Sequence, residues 1–491
     1  LTHPTNNPAL PSYIHPALHE HLPDLQRAYD AYHRLKGEGV KEKYLPQETE
    51  EPNDAYQQRL ERAVFPDFFY DSIWAFTGIL SKFSLSSPPA TLDAVVDNVD
   101  REGSNLVAWL QHADSLLLRD GATLLRVEMP AGRPANSAAE IAADRRPYLV
   151  ASPRSRVLNW RVSIVDGMEK LEKVTILEEN EKEDGEFGVK SVLRYRVIGR
   201  GYWQLWEIQQ KVSAEPQAVM IDDGNYLGAN GNQLDVCPVV WYRADEGIGF
   251  GRGALPLRQV VEHCFEHFQD RSNLRELRRR CSMPVPWVKG RLPGPFNADG
   301  SRPPVAIGPN SIIELETDGA FGFAEPSASS LADQRRGVED IEKLIHRQTL
   351  GFLYNDSGAT KTATQAGLEG AQTESVILRL AMRKGSAMQS LMALWVMFTG
   401  EQLKDGAGMS MSATLFERPM EAQDVSQLQQ LAGGEALMSR RSAIEELQRR
   451  GKLSVTTSAD DELKRLAEEM PEPADEVGLN DLGGLPPEPE T

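Results

Sequence analysis

Gly358, Ala359, Thr360, Lys361 and Thr362, inside the stretch GFLYNDSGATKTATQAG (351–367), nearly spell the end of a nucleotide-binding P-loop. That motif needs glycine, four residues, then Gly-Lys-Ser/Thr. Its glycines let backbone N–H groups wrap the phosphates, and its lysine reaches the outer ones. Here Thr360 stands where glycine is required, Asn355 stands at the opening glycine, and the Asp356 carboxylate would repel phosphate. The segment also follows an amphipathic helical pattern rather than a buried strand. These residues argue against a nucleotide site and for a polar connector between two helices. Lys361 with Thr360, Thr362 and Thr364 remains a set suited to brief contacts with phosphate oxygens.

A second concentration of chemistry is electrostatic. Arg271, Arg275, Arg278, Arg279, Arg280, Lys289 and Arg291 fall in one short interval with a single acid, Glu276, giving a local charge of +6 inside a chain of net charge −19. Such a run is either a solvated or ion-paired helix face or a contact with phosphate or an acidic partner subunit. His263 and His267 stand four residues apart, a spacing that places two metal ligands on one helix face. With no third ligand nearby, they read as core or surface histidines, and no metal or cofactor is expected. Cys237, Cys264 and Cys281 are too scattered for a disulfide framework or zinc site and fit a reducing compartment. There is no G-x-S-x-G elbow, H-E-x-x-H pair or kinase motif set. No catalysis is expected.

The elements that would position these residues change along the chain. Helical spacing runs over 23–37 with a Gly37 stop, and again from Asn53, read as an N-cap, until Pro66 breaks it. Another helix is expected over 104–118, with Leu106, Trp109, Leu110 and 116–118 buried. The period then shifts to strands over 122–129, 171–179, 191–199, 201–209 and 237–243, rich in β-branched and aromatic residues. Residues up to about 250 therefore read as α+β. Beyond them, 255–280 carries an apolar stripe of Leu257, Val260, Val261, Cys264, Phe265 and Phe268. A second helix over 331–353 carries Val338, Ile341, Leu344 and Ile345. The interval between them has seven prolines from Pro284 to Pro309 and reads as short strands and turns. A long helix over 366–403 contains Gly367, Gly370 and Gly385, which mark kinks or close packing. A strand over 413–418 and a helix over 438–453 follow. The tail from Thr456 carries eleven acids against two bases, and it reads as disordered from Pro471.

Composition bounds the class. The 491 residues are 40% hydrophobic and 25% charged, ordinary for a folded protein of several domains. The acidic balance argues against an outer surface that coats nucleic acid. No apolar run approaches the length of a spanning helix. The first residues lack the basic start and apolar core of a signal peptide, so none is expected.

The order of these parts resembles the portal proteins, or head-to-tail connectors, of tailed double-stranded DNA bacteriophages. The resemblance is carried by GRGALPLRQVVEHCFEHFQDRSNLRELRRRCSMPVPWVKG, by IGPNSIIELE with SLADQRRGVEDIEKLIHRQTLGFL, and by MSRRSAIEELQRRGKL with DDELKRLAEE. LSSPPATLDAVVDNVDREGSNLVAWLQHADSLLLRDGATLLRVEMP and RPYLVASPRSRVLNW are similar to one portal subgroup. It spans roughly residues 40 to 470 and lies in order and spacing rather than in one motif. It implies a twelvefold ring with a wing (1–251), stem helices (252–280 and 327–353) around a clip (281–326), and a tunnel loop (354–365). A long helix and strand (366–418), a crown (419–470) and an acidic tail (471–491) would complete the subunit. It also implies a virion location at the capsid vertex after assembly in the host cytoplasm. The implied partners are further copies of the chain, terminase, tail adaptors, major capsid and scaffolding proteins, and double-stranded DNA passing without sequence preference; no membrane is involved. Lys361, Thr360, Thr362 and Thr364 would face the DNA channel from a mobile loop, and the run Arg271–Arg291 would lie at the junction of stem and clip. The alternatives are another phage structural oligomer, such as an adaptor or capsid-associated protein, or a packaging ATPase.

Overall fold

The computed structural model describes residues 7–130, 144–209, 215–245, 249–282, 285–291, 315–324, 329–349, 363–411, 426, 439–449 and 462–466. The chain forms two compact units, Leu1–Ala413 and Thr414–Thr491.

The first unit opens with helices α1 (Pro16–His19), α2 (Leu22–Tyr32), α3 (Val40–Tyr44), α4 (Asn53–Arg62) and α5 (Phe68–Leu80). The short strand β1 (Phe83–Ser86), α6 (Ala90–Asp93) and α7 (Leu106–Asp120) follow. Two expected boundaries shift. α2 stops before Gly37, because Arg34 and Leu35 turn into the left-handed region with φ of 57° and 52°. The cap of α4 is Pro52 rather than Asn53: with φ −59° and ψ 141°, Pro52 delivers the chain already extended, and Asn53 enters the first turn. Pro66 does separate α4 from α5. α7 starts on Asn105, whose side chain accepts the Ala108 N–H at 2.8 Å. It ends on Gly121 at φ 79°, where a Cβ would also lie 2.5 Å from the Ala254 carbonyl oxygen, so conformation and space both require glycine. Leu106, Trp109, Leu110 and Leu116 to Leu118 are all buried, as the spacing expects.

Two antiparallel sheets follow. β2 (Ala122–Glu128) is central in a three-stranded sheet between β3 (Tyr148–Pro153) and β9 (Val239–Arg243). All seven of its residues are buried, and α7 packs against it. The second sheet is a meander of β4 (Val157–Val165), β5 (Met168–Asp184), β6 (Gly188–Gly199), β7 (Tyr202–Gln209) and β8 (Gln217–Asn225). Leu158, Leu177 and Tyr195 form one core cluster there, with Trp206 and Ile208 packed on it. The five strands read from the sequence are all present, and the chain is α+β.

The remainder of the first unit holds α8 (Arg258–Ser282), β10 (Val285–Arg291), β11 (Leu315–Ala324), α9 (Ser329–Gln348), α10 (Ala363–Thr399) and β12 (Gly408–Met411). β10 and β11 form an antiparallel pair, and β12 pairs with β1. A Cβ on Gly385 would lie 3.1 Å from the Met409 carbonyl oxygen, so this glycine of α10 marks close packing on β12. In the second unit α11 (Arg440–Arg449) falls within the expected 438–453. The expected strand over 413–418 and the tail from 471 lie outside the described residues; the strand that is described nearby is β12.

Candidate functional site

α8 and α9 are an antiparallel pair. Gln259 at the start of α8 meets Gln348 at the end of α9 at 3.0 Å, and further along His267 Nε2 lies 2.9 Å from Glu342 Oε1. Val260, Val261, Cys264, Phe265 and Phe268 are buried, and Val338, Ile341 and Ile345 answer them from α9. Leu344, expected on the same stripe, is 40% exposed, because one hundred degrees per residue carries it to the rim. The first half of α8 is also held by the amino-terminal helices. Phe265 stacks on Tyr44 with centroids 4.2 Å apart, and the Arg27 guanidinium sits 4.7 Å over its ring.

The second half of α8 carries the basic run. Arg275 donates to the Arg62 carbonyl at 2.6 Å, and Arg279 donates to Gln58 Oε1 at 3.4 Å. Arg62 lies 3.7 Å from Glu276, so this part of the run ties α8 to α4. Arg271 and Arg278 are exposed on the same helix, Arg280 lies in its last turn, and Lys289 is exposed on β10, the strand that also holds Arg291. The positive charge of Arg279, in the last turn of α8, also suits the carboxyl end of a helix.

Since α8 and α9 run antiparallel, β10 and β11 lie where the pair reverses. Trp287 is opposite Gly322, and a Cβ there would come within 3.0 Å of the indole. Phe321 and Phe323 meet edge to face at 5.2 Å. Trp287, Val288, Phe321 and Phe323 nevertheless remain exposed, so the ribbon shows large apolar side chains to its surroundings.

α10 is fixed by a buried charge. Lys384 donates to Asp114 Oδ2 at 2.6 Å and to the Leu80 carbonyl at 2.8 Å, and Tyr242 donates to Asp114 Oδ1 at 2.9 Å. Lys384 is 1% exposed and Asp114 fully buried. Burial pushes the Asp114 carboxyl up from its ordinary range, while the Lys384 ammonium and the Tyr242 hydroxyl pull it back. Sequence reasoning passed over Lys384, although it falls four residues after Leu380 and four before Met388, on the buried stripe. Val376, expected on that stripe, is partly exposed.

Of the four residues expected to face a channel, Lys361, Thr360 and Thr362 lie outside the described residues. Thr364 lies in the first turn of α10. Among the described residues no group of three or more His, Cys, Asp or Glu is placed to hold a metal ion. His263 instead meets Glu266 at 3.2 Å. Cys237 and Cys264 are buried, and burial pushes both thiols up to about 12, far from a thiolate nucleophile. No helix among the described residues is long and apolar enough to cross a membrane.

A family model described as a domain of unknown function, DUF4055, matches residues 256–399, the interval from α8 through α10. No curated protein matches. Among solved structures the chain is similar to one in "Virion of native gene transfer agent (GTA) particle", at 13% identity and a TM-score of 0.41, covering 83% of this chain and 96% of that one. It is also similar to a chain in "Neck of native GTA particle computed with C12 symmetry", at 11% identity and a TM-score of 0.40, covering 78% and 89%. "Neck of empty GTA particle computed with C6 symmetry" gives 12% identity and 0.40, covering 83% and 96%.

Proposed function

We propose that this chain is the subunit of a phage-type portal: a ring at one capsid vertex through which double-stranded DNA is packaged and ejected. The ring would dock the terminase and the tail adaptors and would have no catalysis of its own. The observation that carries the reading is the succession α8, aromatic ribbon, returning α9 and the 37-residue α10. It is the order of stem, clip, stem and tunnel helix that the sequence resemblance implies. Exposed Leu344, Leu378 and Met382, together with the ribbon's Trp287, Phe321 and Phe323, leave apolar surface that neighbouring copies would cover. A largely acidic channel wall would let DNA slide, since tight phosphate binding would stall it.

Negative-stain images of the purified protein, with and without its capsid partners, test this. Closed rings with an open centre are expected without nucleic acid. A stable monomer across micromolar concentrations, also in the presence of scaffold and capsid protein, would overturn the reading. ATP hydrolysis that disappears in Lys361→Ala would replace it with the enzyme alternative.

A further inference from the structure

α4 and the second half of α8 enclose a cavity of about 100 Å³. Four arginines line it, Arg59 and Arg62 from α4 with Arg275 and Arg279 from α8. Glu276 brings a carboxylate to the wall and Ser272 a hydroxyl. Helical spacing accounts for the grouping: Arg59 and Arg62 are three residues apart, as are Ser272 and Arg275, and Arg279 follows four residues later. Arg59 is already neutralised. It holds Glu51 through two hydrogen bonds of 2.9 and 2.7 Å, and both side chains are buried.

The other three guanidinium groups make their hydrogen bonds to neutral oxygens. Arg275 donates to the Arg62 carbonyl at 2.6 Å, while Arg62 Nη2 and Arg279 Nη1 share Gln58 Oε1 at 2.8 and 3.4 Å. Glu276 stands 3.7 Å from Arg62 Nη1 and 4.0 Å from Arg279 Nη1, beyond hydrogen-bond reach of both. The Nη1 group of Arg62 is thus buried without a hydrogen-bond acceptor. An unmet buried donor is costly, and more so on a charged group. Three guanidinium groups against the one lining carboxylate leave a surplus of two positive charges around a small space. Carbonyls at the end of α4 do not offset it. That of Arg62 is taken by Arg275, and that of Ala63 accepts from Lys41 at 3.0 Å.

We infer that this cavity binds a free phosphate dianion. A tetrahedral oxoanion offers acceptor oxygens to guanidinium forks arriving from two helices, the geometry in which arginine binds phosphate most strongly. Its two negative charges match the surplus, whereas a phosphodiester carries only one. The space is too small for a nucleoside. Arg62 Nη1 gains the acceptor it lacks, and Arg275 and Arg279, exposed at the mouth, close over the anion. Phosphate would therefore fasten the second half of α8 onto α4. This goes beyond the proposed function and stands whether or not the subunits close into a ring.

The test titrates inorganic phosphate into the full chain by isothermal calorimetry and follows thermal melting, with chloride at matched ionic strength as the control. Saturable binding and a melting temperature that rises with phosphate but not with chloride are expected. Arg62→Gln should weaken binding about tenfold or more, the worth of a hydrogen bond to a charged group. The readout is the phosphate-dependent shift, so a variant of lower basal stability still reports. Arg62→Lys should keep part of the affinity. Glu276→Gln should tighten binding about threefold, because it removes a competing carboxylate at a partly exposed site. Arginines that merely braced α8 against α4 would give no such gain. Duplex DNA without terminal phosphates should fail to displace phosphate. Absence of saturable binding, or binding that Arg62→Gln and Glu276→Gln leave unchanged, would overturn the site. Arginine-dependent binding of the duplex without binding of phosphate would overturn it as well and assign these side chains to the DNA backbone.

Discussion

Lys384 and Asp114 show how much one residue decides in this fold. With both groups buried, removing one leaves the other charged and unpaired, which costs roughly 3–5 kcal/mol. Lys384→Ala should therefore lower the denaturant midpoint sharply, while Lys384→Met combined with Asp114→Asn should recover much of the loss. Equal stabilities for the single and double variants, by urea titration, would show that the charge pair is not what anchors α10. Two histidines with depressed pKa values contribute to the pH response. His15 stacks on Trp160 at 4.0 Å and its Nδ1 accepts the Ala17 N–H at 3.2 Å. Burial, then Arg252, holds its pKa below the ordinary 6.5. Burial, then Arg119 and Lys36, does the same for His33 against the pull of Asp30 and Asp120. A depressed folded pKa means that the unfolded chain binds the proton first. This stability is fully present above pH 6.5 and is lost as pH falls toward the folded values. The melting temperature should fall between pH 7.5 and 5.5, and less steeply in His15→Gln. The buried lysine was legible in principle from its place in the helical period. Its partner Asp114 was not, since 270 residues separate them and only the folded chain brings them together.

At the scale of elements, long helices were the most legible, because an apolar stripe repeats several times in α8, α9 and α10. The strands β2, β5, β6, β7 and β9 were legible from β-branched and aromatic runs between glycines. β8 was not: it is an edge strand, mostly exposed, and carries Asp222, Asp223 and Gly224, which do not read as a strand. β1 and β12 are four residues each and exist only because they find one another. The basic run illustrates a mixed outcome for one element. Arg275 and Arg279 hold α8 to α4, and Arg271 and Arg278 are exposed on the same helix. Arg275→Ala should cost about 1 kcal/mol of stability, the worth of one hydrogen bond. On the proposed function, replacing Arg278, Arg279 and Arg280 together by Ala should weaken the ring or DNA packaging. Raised salt should weaken the wild type in the same direction. Unchanged assembly, packaging and salt dependence would reduce the run to a helix face in water.

For the whole molecule, the α+β class and the succession of helices and strands were legible, whereas pairings between distant segments were not, because nothing in either segment alone marks its partner. The segment between α9 and α10 belongs to this scale. If the proposed portal reading holds, deleting Asp356–Thr364 should spare folding and ring formation while impairing packaging or retention of DNA. Loss of the ring on deletion would make the segment structural, and protection of Lys361 from chemical modification by ATP would make it a nucleotide site. One further property follows from the pairing of β1 with β12, which joins Phe83 to Met411. Contacts this distant in sequence form late. At about 5–20 residues per second, roughly 15–65 s separate the synthesis of the two strands. During that interval β1 is an open edge, so the nascent chain depends on whatever shields it from aggregation. Chains cut before Gly408 should stay permanently in that state and collect in the insoluble fraction, even though they carry every helix from α1 to α10.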